Sequence, residues 1–147
     1  MEIKVTLLPG RNYHKDLLIE VGNHEELTDT YYFWRDEFGK LKNPYEGIKK
    51  VISDYLGIWV SKLEKLKLNE QVFIPINFSD EFIGGFKVKG LIGSFDIVYG
   101  YIYDIQDQIV RVNEDECYTN FDDKPVDTLI KGEMPKEQFL RSFRLSF

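Results

Sequence analysis

Residues 91–105, LIGSFDIVYGYIYDI, alternate between two faces with a period of two. Phe95, Ile97, Tyr99, Tyr101, Tyr103 and Ile105 fall on one side, and Ser94, Asp96, Val98, Gly100, Ile102 and Asp104 on the other. Successive side chains of a strand point to opposite faces, so the stretch predicts a long strand with one continuously apolar face and one mixed face. Such a strand belongs at the centre of a sheet that packs on a helix.

The helix is marked near NPYE. Asn43 suits the N-cap, Pro44 the first helical position, and Glu46 stands three residues after the cap. Tyr45, Ile48, Ile52, Tyr55, Trp59, Leu63 and Leu66 then recur every three or four residues, with Val51, Leu56 and Ile58 widening the seam. This predicts an amphipathic helix over about residues 44–67. Gly57 inside it costs about 1 kcal/mol against Ala and is expected to permit close approach to the sheet.

The remaining elements are read from alternation and turn residues. Ile3, Val5 and Leu7 predict a first strand, and Asp16–Val21 a second that Gly22-Asn23 stops. Four consecutive aromatics in Thr28–Phe38 favour another strand. Val72–Phe78 reads as a strand whose Pro75 places it at an edge or a bulge. Phe82–Val88 is the next. Beyond the long strand, a turn at Gln106-Asp107-Gln108 predicts a hairpin over 101–113, and 114–127 reads as an acidic loop around CYTNF. Met134-Pro135 opens a short helix over about 135–143 that buries Phe139, Leu140 and Phe143. Strands joined by short turns around a long helix define the α+β class, with a mostly antiparallel sheet of about six or seven strands in one domain.

Charge is distributed unevenly. Between Tyr101 and Asp127 lie eight acids, Asp104, Asp107, Glu114, Asp115, Glu116, Asp122, Asp123 and Asp127, against Arg111 and Lys124. That stretch therefore carries the whole net charge of −6, and the rest of the chain is balanced. Its field repels nucleic-acid phosphate and attracts basic partners. Aromatic residues Tyr101, Tyr103, Tyr118 and Phe121 lie among the acids.

Several chemistries lack their residues. Gly85 and Gly90 have the spacing of a phosphate-binding loop, but Leu91-Ile92 stand where Lys and Ser/Thr belong. His14, His24 and Cys117 show no zinc-ligand spacing, and the acidic run fails the positional pattern of a calcium loop. Cys117 follows Glu114-Asp115-Glu116, which disfavours a reactive thiolate. Lysines on the helix are diluted by Glu46, Asp54 and Glu64, so direct nucleic-acid binding is not expected. No cofactor, metal site or catalytic constellation is expected either. A single cysteine, the absence of a signal-peptide pattern and the absence of a long apolar run point to the cytoplasm and away from a membrane.

The expectation that remains is a non-enzymatic acidic binding protein, of the bacterial immunity or inhibitor type by analogy, that covers the cationic site of a basic partner such as a nuclease toxin. Its partner-binding residues are expected to be Tyr101, Tyr103, Asp104, Asp107, Glu114, Asp115, Glu116, Tyr118, Asp122, Asp123 and Asp127. Two alternatives stand beside it. One is a structural or accessory interaction subunit. The other is a small metal-independent ribonuclease-like enzyme using His14 and His24 as acid and base.

Overall fold

A computed structural model describes residues 1–33, 44–105, 110–112, 117–119 and 121–146. In chain order it contains β1 (Ile3–Leu7), β2 (Leu17–Val21), β3 (His24–Thr28), a 3-10 turn (Thr30–Phe33), α1 (Pro44–Glu64), β4 (Gln71–Phe78), β5 (Ile83–Gly90), β6 (Ser94–Ile102), β7 (Val110–Val112), β8 (Cys117–Thr119), β9 (Asp127–Pro135), α2 (Lys136–Ser142) and β10 (Leu145–Ser146). The class is α+β, as expected.

The strands do not form one sheet of six or seven. They divide into two four-stranded sheets, ordered β10-β1-β2-β3 and β4-β5-β6-β9, beside a separate β7-β8 pair. Every pairing is antiparallel except β1 with β10, where Val5 lies opposite Leu145. In the first sheet, Gly22-Asn23 does more than stop β2. Gly22 takes φ +57° and turns the chain directly into β3, with Val21 opposite His24. The four-aromatic stretch that predicts a strand begins instead as the 3-10 turn, and its remainder, residues 34–38, lies outside the described residues.

In the second sheet β6 is interior, between β5 and β9. Its apolar face is buried at Phe95, Ile97 and Tyr99, and its other face is buried only toward the end, at Gly100 and Ile102. The predicted 101–113 hairpin is not formed: β6 ends at Ile102, its second neighbour is β9, and β7 pairs with β8. The turn proposed at Gln106-Asp107-Gln108 lies outside the described residues, as does the Asn43 cap.

β4 is an edge strand and is also irregular, with a register shift between Pro75 and Asn77. Both follow from Pro75, which has no amide to donate. Its carbonyl accepts a hydrogen bond from the buried Tyr55 hydroxyl, which ties α1 to that strand. Opposite Pro75 lies Gly85, where a Cβ would come within 2.1 Å of the Ile74 carbonyl oxygen.

One apolar cluster joins both sheets and both helices. α1 contributes Ile48, Ile52, Tyr55, Leu56, Trp59 and Leu63, the residues its period placed on one face, and packs on β10, the 3-10 turn and β8. α2 lays Phe139 over Phe86 and Phe95 in edge-to-face contacts, with Phe143 stacked beside it at 5.3 Å. Such geometry suits the ring quadrupoles and adds to the gain from burial.

Gly57 is not a close-approach site, since a Cβ there meets nothing within 4 Å among the described residues. Gly57→Ala should therefore stabilise the fold by about 0.5–1 kcal/mol through helix propensity, whereas Gly85→Ala should cost roughly 1–3 kcal/mol by forcing the β4–β5 backbones apart. Urea unfolding of both variants checks this; a Gly85→Ala protein as stable as the parent contradicts the close approach.

Candidate functional site

The expected partner-binding residues are not one surface. Tyr101 turns inward. Its hydroxyl donates to one oxygen of the Glu26 carboxylate on β3, and the fully buried Tyr99 donates to the other. Burial, and then Glu26 itself, push the Tyr101 phenol well above its ordinary pKa. Two residues on, Tyr103 points out and is 57% exposed.

Asp122 is half-buried and serves the edge of the second sheet. Its Oδ1 accepts the Phe73 amide at 2.9 Å, and its backbone carbonyl accepts Gln71 Nε2 at 3.2 Å. Burial pushes this carboxyl up, and Asp123 acts in the same direction, while the Phe73 amide, Lys62 and Lys87 pull it down. Asp104, Asp123 and Asp127 are exposed. Lys124 crosses to Asp104, donating to its backbone carbonyl at 2.8 Å with Nζ 3.8 Å from its carboxylate. Tyr118 stands in β8, with its side chain outside the description, and Asp107, Glu114, Asp115 and Glu116 lie outside the described residues.

The fold brings other segments against this strand end. Phe82, at the entry to β5, packs its ring on Tyr101 at 4.7 Å and on Tyr103 at 6.1 Å. From the first sheet come Glu26, Asp29 and the 3-10 turn, with Tyr31 58% and Tyr32 45% exposed. The Tyr32 ring lies 6.2 Å from Phe78. Burial raises the Tyr32 phenol, and the neighbouring carboxylates of Asp80 and Asp29 raise it further. Between these groups runs a cleft of about 450 Å3, lined among others by Glu26, Asp29, Tyr32, Asp80, Glu81 and Phe82, with Lys15 its one basic lining residue. The four lining acids lie outside residues 101–127, in the remainder of the chain, whose charges balance only when summed over its whole length. The local signals were present all the same: Asp29 beside Tyr31 and Tyr32, and Asp80-Glu81 flanked by Phe78 and Phe82.

His14 and His24 do not meet. They sit before and after β2, whose five residues span roughly 13 Å. The His14 ring stacks on Tyr31 at 6.4 Å, whereas His24 tilts against Tyr99 with its Nε2 3.8 Å from Glu26. Among the described residues, no group of three or more His, Cys, Asp or Glu could hold a metal ion, and no helix is long and apolar enough to cross a membrane.

Comparison with protein-family models, with curated proteins and with solved structures returns no match. The functional reading therefore rests on this geometry alone.

The position of Asp122 has a measurable consequence. A carboxyl raised in the folded state favours its protonated form, so its ionised form costs stability as the pH rises through the carboxylate range. Asp122→Asn keeps an acceptor for Phe73 without the charge. It should match the parent near pH 3 and be at least as stable at pH 7, while Asp122→Ala should fall below Asp122→Asn by about 1–2 kcal/mol for the lost acceptor. Urea unfolding at both pH values checks this; an Asn variant less stable than the parent at pH 7 contradicts the assignment.

Proposed function

We propose that the chain is a non-enzymatic binding protein of the immunity or inhibitor type, which covers the cationic site of a basic partner such as a nuclease toxin. The observation that carries this reading is the exposure of Tyr31, Tyr32 and Tyr103 beside Asp29, Asp80, Glu81 and Asp104. Large exposed rings gain free energy when a partner buries them. Surrounding carboxylates steer a basic surface toward them and reject acidic ones. Carboxylates in that role stand in for the phosphates that a nuclease would otherwise bind.

The accessory-subunit alternative would use an open sheet edge, and β9 is a nine-residue edge strand. That edge carries a register irregularity at Leu129, an exposed Lys131 and Pro135. These are features by which proteins discourage edge-to-edge pairing. The ribonuclease alternative needs two imidazoles at one scissile bond, and β2 separates them.

The test is purification of the tagged chain from its native cell, followed by reconstitution with whatever co-purifies. A strongly basic protein should be retained in stoichiometric amount, with its activity inhibited and its binding weakened by salt. Neutralising Asp104, Asp123 and Asp127 to Asn should weaken association by about tenfold, chiefly through the on-rate. Inhibition and affinity unchanged in that variant would overturn the reading.

A further inference from the structure

We infer that the outer edge of β3 takes up an extended segment of the basic partner as a fifth, antiparallel strand of the first sheet. That segment carries an apolar side chain beside Leu27 and, two residues later, a basic one beside Glu25. The inference rests on the binding reading above and gives it a specific contact.

Of the four edges of the two larger sheets, β3 is the least defended. β10 is two residues long and lies against α1. β4 has its edge groups occupied, the Phe73 amide by Asp122 and the Pro75 carbonyl by Tyr55. β9 carries its irregularity, Lys131 and Pro135. β3 instead pairs with β2 in unbroken register over all five residues and contains neither proline nor glycine.

The backbone of that edge is open. Val21 and His24 close the two-residue turn and so exchange the first pair of hydrogen bonds. Alternation from there points the amides and carbonyls of His24, Glu26 and Thr28 at β2, and those of Glu25 and Leu27 away from it. Among the described residues no hydrogen bond reaches these outer groups. They recur two residues apart, the repeat that an added strand matches with its own main chain.

The side chains specify what that strand must carry. On the solvent-facing side of the sheet, cross-strand neighbours form two rows, Thr6-Leu18-Leu27 and Lys4-Glu20-Glu25. Leu27 ends the first row 40% exposed, so an apolar neighbour would gain by covering it. The second row sets two carboxylates directly opposite each other, an unfavourable pairing, and neither forms a salt bridge among the described residues. A basic residue in the next place of that row would face Glu25 and offset the repulsion. A second copy of β3 would add further carboxylates there. The charge that guards this edge against self-pairing thus selects a basic strand. The cleft described above borders the Leu27 end of the edge, and its Asp29, Asp80 and Glu81 extend the same field.

Hydrogen exchange and 15N NMR titration of the full chain test this. The probes are two capped heptapeptides, Thr-Thr-Val-Thr-Lys-Thr-Thr and the same sequence with Glu in place of Lys. In the free chain the Glu25 and Leu27 amides should exchange faster than those of His24, Glu26 and Thr28. The lysine peptide should shift and slow the Glu25 and Leu27 amides, and bind roughly fivefold more tightly than the glutamate peptide. Methylating the peptide's Val and Lys amide nitrogens should abolish binding. Glu25→Lys, on the exposed face, should reverse the preference while leaving circular dichroism unchanged. Protected Glu25 and Leu27 amides in the free chain, no shift at either with millimolar peptide, equal binding of the two peptides, or a preference unchanged in Glu25→Lys would each overturn the assignment. Failure of the broader reading looks different: the lysine peptide would bind along β3, but no basic protein would be retained from the cell.

Discussion

Glu26 holds the two sheets together. It sits on β3, the edge of the first sheet, and accepts hydrogen bonds from Tyr99 and Tyr101 on β6, in the interior of the second. Next to it, Thr28 on the same edge strand meets Asn77 on β4, the edge of the second sheet, through a buried hydroxyl–amide contact. Polar groups placed between apolar layers are costly unless they are satisfied. Here each finds its partner in only one docking of the sheets. Apolar packing of Phe86, Phe95, Phe139 and Phe143 supplies the bulk of the burial, but rings tolerate more than one arrangement. The polar seam selects among those arrangements.

That selection also shapes the surface. With Tyr101 drawn in toward Glu26, the alternation of β6 sends the rings before it into the core, while Tyr103, just beyond the strand, is left outside. The same docking brings the 3-10 turn and the β4–β5 turn beside that strand end. Exposed rings and carboxylates therefore meet at the rim of the seam, although they come from three distant parts of the chain. Asp29 belongs to both structures, bracing the loop before β2 through Lys15 while lining the cleft.

Local order was legible in the sequence where a single period dominated. The seam of α1 and the apolar face of β6 appear where their repeats place them, and Pro75 marks an edge and an irregularity at once. Legibility failed where partners lie far apart in sequence. Chain proximity predicts that β6 pairs with the next strand, yet its neighbour is β9, because strand pairing answers to burial across the sheet. β9 shows no clean alternation in the sequence, since Leu129 and Ile130 fall side by side across an irregularity. The surface was half legible. Counting charge along the chain found Asp104, Asp123 and Asp127, but it also selected Asp122, whose carboxylate turns to the Phe73 amide. It passed over Asp29, Asp80 and Glu81, whose charge becomes local only when the chain is folded.

The pairing of β1 with β10 bears on the order in which the molecule can assemble. β1, β2 and β3 leave the ribosome before the strands they later meet and can form their hairpins at once. The far edge of β1 stays open until Leu145–Ser146 arrives, and Glu26 has no tyrosine until residues 99–101 have been made. Contacts of such long sequence separation close late and make folding slow. Between the synthesis of β1 and that of β10 the chain thus carries an open strand edge, and until residue 101 an unengaged carboxylate as well, the stage at which nascent β-proteins are most exposed to mispairing and to the chaperones that prevent it.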